Sequence, residues 1–381
     1  MLLSVLARTL GKDIFNLSQL WFPNLNSSCR RLLRPRSETL LLYTLVASVS
    51  VVNVTLNLLI IISISHFRQL HTPTNTLLQS LAVCDLAVGL LVMPVEGVRY
   101  TESCWLLGRI MCALSTYLFY FLLSTSLGHM VLISIDRYLT ICKPLSYSSK
   151  VTLTNVKICI CLCWACSSTY NGLILLDHLV QPDRYSSCHG ECVVVINQIA
   201  GTIDLFINFI APCTVMVVLY TKVFAAAVSQ MRVIQSQAAA TKARAAPTAR
   251  TPQIKAARTL GILVFVFLMC YCPYYYPILA GVDTSSSLSY YVLLVWMQIM
   301  NSCLNPLIYA IFYPWFRKTG PEVSVNIHFY TTLEILSPLS RLFCCSTTQT
   351  LDSGLMHRNS HSLTEPCCKL FILINTNLST E

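Results

Sequence analysis

The chain has 381 residues, of which 55% are hydrophobic and only 11% charged, with a mean hydropathy of +0.62. Soluble domains carry about a quarter charged residues, so this balance excludes a water-soluble globular protein and implies a polytopic membrane protein. The net charge of +10 then reads as loop bias on one side of a membrane rather than as a nucleic-acid surface.

Apolar runs long enough to cross a hydrocarbon layer of about 30 Å as helices fall near residues 40–65, 77–99, 109–135, 155–179, 199–227, 256–281 and 289–313. They predict an all-α membrane protein, a seven-transmembrane helix bundle, with its two ends on opposite sides. Basic residues follow span one (Arg68), span three (Arg137, Lys143, Lys150) and span seven (Arg317, Lys318), and they crowd between spans five and six. The opposite loops carry few, which puts the N-terminus outside; Arg30, Arg31, Arg34 and Arg36 argue the other way and are outnumbered. The predicted organisation is an extracellular segment over 1–39, a seven-transmembrane helical domain over 40–318, and a disordered cytoplasmic tail over 319–381. The apolar run over residues 1–8 is too short for a cleavable signal, so span one serves as signal anchor. Asn16 and Asn26 open glycosylation sequons on the outer segment. Many of the 19 cysteines lie inside apolar runs and read as small buried hydrophobes.

Polar residues inside the spans carry the functional argument, because they are costly in hydrocarbon. Span one holds Asn57 and span two holds Asp85. Ser126 on span three and Asn301 and Asn305 on span seven are candidate partners, forming a cluster of oxygen ligands suited to water or a small hard cation; the plainer reading is a protonated acid bonded to a neighbour. Span three ends at Asp136, Arg137 and Tyr138, where charge is cheap and an ordinary basic flank is the alternative. Span four carries Trp164, read as packing. The outer loop after it holds Cys188 and Cys192, which an oxidising compartment favours as disulfides; a zinc site from Cys188, His189 and Cys192 has poor spacing. Span five has Asp204, Asn208, Pro212 and Tyr220, with Pro212 predicting a kink and Asp204 about two turns outward of it. Span six contains Phe267, Tyr271 and the run Tyr274, Tyr275. In span seven Pro306 frees a carbonyl between Asn305 and Tyr309.

The Asn-Pro-x-x-Tyr pattern at Asn305–Tyr309, with Asp136, Arg137, Tyr138 and the partners of Asp85, resembles the rhodopsin-like family of G-protein-coupled receptors. The runs 64–75 and 81–94, the residues Ser103, Cys104 and Trp105, and the run 301–318 resemble the trace amine-associated receptors, over roughly residues 29–318. The resemblance implies a plasma-membrane receptor that detects amines, olfactory in most relatives, and signals through a stimulatory G protein. It implies a sodium ion, as allosteric modulator, at Asp85, Ser126, Asn301 and Asn305. It implies an activation switch of Asp136, Arg137, Tyr138, Tyr220, Phe267, Tyr271, Pro306 and Tyr309; Tyr271 stands where the family has Trp, and Gln253 where many relatives have the acid that holds Arg137. Disulfides Cys112–Cys192 and Cys29–Cys188 are implied. Cys344 with Cys345, or Cys367 with Cys368, are candidates for palmitoylation, with unmodified tail cysteines the equal alternative.

Both halves of the family's usual ammonium site are absent, with Phe119 and Ile299 in the places of Asp and Tyr. Asp204 is the one clear acid in the outer half of the bundle, and a fish-type pattern with an acid on span five resembles it. An ammonium ion in a dry pocket needs a counter-charge. The predicted ligand site is Asp204 with Phe119, Tyr120, Asn208, Tyr274, Tyr275 and Ile299, the amine toward span five and its apolar end toward Phe119; a lone acid favours a monoamine. The plainer reading is Asp204 neutral or bonded to Asn208. The alternatives are a rhodopsin-like receptor for a non-amine ligand, or a transporter, against which the lack of internal repeats speaks. No zinc, nucleophile-elbow or phosphate-loop motif suggests an enzyme.

Overall fold

The computed structural model describes residues 18–20, 28–32, 34–102, 104–105, 107–181, 184, 188–241, 250–280 and 288–312, all in the unit Met1–Ser324. Asn16, Asn26 and everything beyond Phe312, including the tail cysteines, lie outside the described residues. Seven long helical segments follow one another: span one Arg36–His66, span two Pro73–Glu102, span three Gly108–Cys142, span four Leu153–Ile174, span five Gln198–Thr241, span six Arg250–Ala280 and span seven Leu288–Phe312. Six are long and apolar enough to cross a membrane by length and composition. Span four, with 22 residues, is diluted by Asn155, Lys157 and a polar outer turn, and it completes the bundle by packing on span three. The first helix starts at Arg36, inside the segment assigned to the exterior, and spans five and six run on past their apolar stretches toward the loop between them.

Local chemistry sets the helix starts. Thr72 caps span two by accepting from the Asn75 amide, with Pro73 in the first turn, where its missing N–H is not needed. Thr152 caps span four through Asn155, and Asn197 caps span five through the Ile199 amide. Spans two and five each contain one wide π turn, Val88–Val92 and Phe206–Ile210. Each turn ends two residues before a proline, Pro94 and Pro212; a proline ring cannot accommodate the carbonyl four residues back, and the widened turn relieves that clash. The sequence marks the kink at Pro212 but not its form.

One core runs through the bundle, from Ile60, Ile64 and Leu78 through Met130 and Ile133 to Phe267, Ile299 and Tyr309, all nearly or fully buried. Polar ties cross it. His129 is buried between spans two, three and four: Nδ1 donates to the Thr125 carbonyl at 2.7 Å, and Nε2 accepts from the Ser80 hydroxyl at 2.7 Å. The Ser80 oxygen in turn accepts from Trp164 Nε1 at 3.0 Å. Trp164 is therefore a hydrogen-bonded strut as well as packing. Spans three and four come close at Gly128, where a β-carbon would meet Cys163 Sγ at 2.4 Å.

Before span one, β1 (Ser18–Leu20) and β2 (Arg30–Leu32) form an antiparallel ribbon. Cys112 is bonded to Cys192, which ties the loop after span four to span three. Cys29 is bonded to Cys104, not to Cys188, which stays a free thiol. Backbone bonds explain the choice. The Cys29 amide donates to the His189 carbonyl at 2.9 Å and the Trp105 amide donates to the Gly190 carbonyl at 2.7 Å, so residues 28–29 and 104–105 both lie against residues 189–190. Gly190 has φ +88°, and a β-carbon there would meet Cys29 Sγ at 2.8 Å, so the crossing needs glycine. Cys192 is committed to Cys112, which removes the Cys188–His189–Cys192 zinc arrangement.

Candidate functional site

Three polar constellations lie along the bundle axis. The first is at the C-terminal end of span three. Arg137 Nε donates to Asp136 Oδ2 at 2.9 Å, and the guanidinium also contacts Asp136 and Thr74 through Nη2. Asp136 Oδ2 accepts from Thr74 at 2.9 Å, and Oδ1 accepts from the Tyr147 hydroxyl at 3.1 Å. Asp136 and Arg137 are both buried. Burial, then the neighbouring Asp136 charge, raises the Tyr147 pKa above its ordinary value, so this hydroxyl keeps its proton for Asp136. Thr74, in the first turn of span two, and Tyr147, in the short helix Pro144–Lys150, escaped the sequence reading because neither belongs to a motif. The Tyr138 ring lies 5.8 Å from Lys143 Nζ and 5.9 Å from Lys222 Nζ, within cation–π range of both. Half-buried Tyr220 on span five packs over Gly261 of span six.

The middle constellation surrounds Asp85, which is fully buried. Asn305 Nδ2 donates to Asp85 Oδ2 at 2.8 Å, and Asn53 Nδ2 donates to the Asp85 carbonyl at 2.8 Å. Pro306 cannot bond the Ser302 carbonyl four residues back, and Asn57 Nδ2 of span one donates to that carbonyl at 3.2 Å. One amide thus repairs a proline defect on another helix. Among the described residues, Asp85 Oδ1, Ser126 Oγ, Asn301 Oδ1 and Asn305 Oδ1 are buried oxygens with no hydrogen-bond partner. That donor set, hard oxygens with one carboxylate, has the chemistry a small hard cation requires. Tyr309 is buried nearby in sequence, one turn past Asn305.

The outer constellation encloses a cavity of about 20 Å³ lined by Phe119, Tyr120, Leu123, Ser124 and Leu127 of span three, Asn208 of span five, Tyr271, Tyr274 and Tyr275 of span six, and Gln298 of span seven. Ile299 is not in the lining; it is fully buried in the core and its neighbour Gln298 faces the cavity instead. The miss was one residue, about 100° of helix rotation. Tyr275 stacks on Phe209 at 4.5 Å, and Tyr271 stacks on Phe267 at 4.1 Å while its hydroxyl donates to the Leu123 carbonyl at 3.4 Å.

Asp204 stands one hydrogen bond behind this lining. Its Oδ1 accepts from Asn208 Nδ2 at 2.7 Å and from the Tyr170 hydroxyl of span four at 3.1 Å, and Asn208 Oδ1 accepts from Ser124 at 3.1 Å. The carboxylate is half-buried and turned toward span four and the bundle. Its partner Asn208 is itself a lining residue. Asp204 is not the lone acid of the outer half. Glu96, near the outer end of span two, is 2% exposed and pairs with Arg99 at 3.4 Å. It was overlooked because a Glu and an Arg at the end of an apolar run read as loop charge.

The whole arrangement has counterparts. Residues 56–309 match the family described as 7 transmembrane receptor (rhodopsin family). Trace amine-associated receptor 13c of Danio rerio is 34% identical over 338 residues, covering 87% of this chain and 97% of that receptor. Trace amine-associated receptor 6 of Rattus norvegicus is 39% identical, covering 79% and 90%, and trace amine-associated receptor 1 of Mus musculus is 37% identical, covering 73% and 86%. The chain is therefore a multi-pass membrane receptor, not an enzyme, and it belongs to the trace amine-associated receptors of the rhodopsin family.

Proposed function

We propose that this receptor detects organic amines by pairing their ammonium group with Asp204, and that it signals through a heterotrimeric G protein of the stimulatory class, from the plasma membrane, with its N-terminus outside, in olfactory tissue. The observation that carries the ligand reading is the chain Ser124–Asn208–Asp204–Tyr170, which fixes a carboxylate directly behind a cavity wall rich in aromatic faces. Both amide and phenol bond the same oxygen, Oδ1, so the carboxylate is oriented and an arriving ammonium finds a counter-charge without reordering it. Aromatic faces of Phe119, Tyr274 and Tyr275 favour the cation and its apolar tail. A cavity of about 20 Å³ holds little more than a water-sized guest. Binding therefore requires the aromatic walls to part.

Asp204→Ala tests the reading: surface expression is retained and amine-evoked G-protein activation disappears. Undiminished amine potency in that variant removes it. A second reading, a receptor for a neutral ligand, is favoured by one feature, the uncharged lining of the cavity itself. Under that reading a neutral odorant activates the receptor and Asp204→Ala leaves its potency unchanged. Sodium at Asp85, Ser126, Asn301 and Asn305 is the proposed modulator. Replacing sodium chloride by a bulky-cation salt at equal ionic strength changes agonist potency in the wild type, and Asp85→Ala abolishes that sensitivity.

A further inference from the structure

The cavity wall carries a polar group that the Asp204 chain does not use. Gln298 of span seven lines the cavity and is 2% exposed, and among the described residues its Oε1 has no hydrogen-bond partner. Other polar groups of the wall are committed: Ser124 donates to Asn208, Asn208 donates to Asp204, and Tyr271 donates to the Leu123 carbonyl. A buried acceptor left bare is costly, and it is kept where something else fills it. Span seven packs on spans one, two and six, and span five packs on spans three and six, so Gln298 and Asn208 stand on separate walls of the cavity. The plainer role for Gln298 is to extend the Asp85 cluster, because Gln298, Asn301 and Asn305 share one helical face. Asn301 and Asn305 do not line the cavity, however, and Gln298 does.

We propose that Gln298 is a second recognition point of the ligand site, and that the receptor's ligands are amines with a hydroxyl at the end remote from the ammonium. The proposal rests on Asp204 being the ammonium's counter-charge. With that end fixed at span five, the other end of an extended ligand crosses toward span seven, where its hydroxyl donates to Gln298 Oε1. Phe119, Leu123 and Tyr275 supply the apolar wall that the carbon chain meets between the two. A methyl end leaves Oε1 bare and shut off from solvent, which is the loss that lets a polar site reject an analogue lacking its hydroxyl. An ammonium end is disfavoured for a different reason. No carboxylate lines the cavity, and an amide oxygen offers only a partial charge to a desolvated cation.

The test uses the full chain in cells with matched surface expression, and G-protein activation by straight-chain primary amines and by ω-amino alcohols with the same number of chain atoms. In the wild type, at one chain length, the amino alcohol is favoured over its alkylamine counterpart by about tenfold. Gln298→Met, similar in size and apolar, removes that preference. Gln298→Glu places a carboxylate on the same wall and shifts the preference to the α,ω-diamine of that length; this variant reports on the contact if Gln298→Met fails to reach the surface. A wild type without a preferred amino alcohol length, or a preference unchanged in both variants, overturns the contact alone while Asp204→Ala still silences both series. Equal weakening of both series in Gln298→Met assigns the amide to the Asp85 cluster and overturns the contact too. Retained responses in Asp204→Ala, or no wild-type response to either series, overturn the amine reading and the Gln298 contact with it.

Discussion

At the scale of single residues, the bundle is organised by side chains that complete hydrogen bonds the helices cannot make for themselves. Ser80 is the clearest case, because one hydroxyl serves both His129 and Trp164. Ser80→Ala leaves an indole N–H and an imidazole nitrogen without partners in a dry setting, and each such loss costs about 1–3 kcal/mol. The expected outcome is a lower melting temperature of the detergent-purified receptor, by a clear margin over Ser48→Ala, whose hydroxyl bonds only its own helix. Near the C-terminal end of span three, Thr74 and Tyr147 hold Asp136 from two sides. Tyr147→Phe removes one of these bonds and no packing atom, and ligand-independent G-protein activation is expected to rise; an unchanged basal level in Thr74→Ala/Tyr147→Phe together assigns the contacts to folding alone. The sequence made the Asp85 and Asp136 clusters legible because motif residues carry the chemistry themselves. Thr74, Tyr147 and Ser80 were invisible because their importance comes only from what folds against them.

Among elements, the prolines and the disulfides divide in how readable they were. The position of a proline fixes which carbonyl loses its partner, so the defect at Ser302 follows from Pro306 by counting. That the repair comes from Asn57, on the far end of the sequence, does not. Asn57→Ala leaves the Ser302 carbonyl bare and is expected to destabilise the receptor by about 1–3 kcal/mol, read as lost thermal stability. The pairing of Cys29 was misjudged because the two cysteines of the loop after span four drew both partners, while Cys104, in the short loop after span two, was passed over. Backbone contact of residues 28–29 with residues 189–190 brings Cys29 beside both loops, and the bond closes with Cys104 at a Cα separation of 6.0 Å. Non-reducing peptide mapping is expected to recover Cys29 joined to Cys104 and Cys188 alkylated; a Cys29–Cys188 peptide refutes this arrangement.

For the whole molecule, seven helical segments were countable from hydropathy alone, and even the weakest, span four, forms a 22-residue helix although Asn155, Lys157 and its polar outer turn keep it out of the six that are apolar enough to cross a membrane. The fate of the outer half was less legible. The sequence shows an acid on span five and aromatics on spans three and six, but the distance of Asp204 behind the lining and the burial of Glu96 depend on helix rotation, which hydropathy does not encode. Tyr170→Phe probes this level. It leaves the packing of span four intact and removes one of the two bonds that orient Asp204, so amine potency is expected to fall about three- to tenfold with no change in maximal response.

The packed rings of Phe119 on Tyr120 and of Tyr274 on Tyr275, all in the cavity wall, have a consequence for timing. A chamber walled by interlocked rings admits a guest only during the fraction of time the wall is parted, and apparent affinity for every guest is lowered by that same fraction. Small and large amines should then share one ceiling on how fast they arrive, set by the protein rather than by their own diffusion.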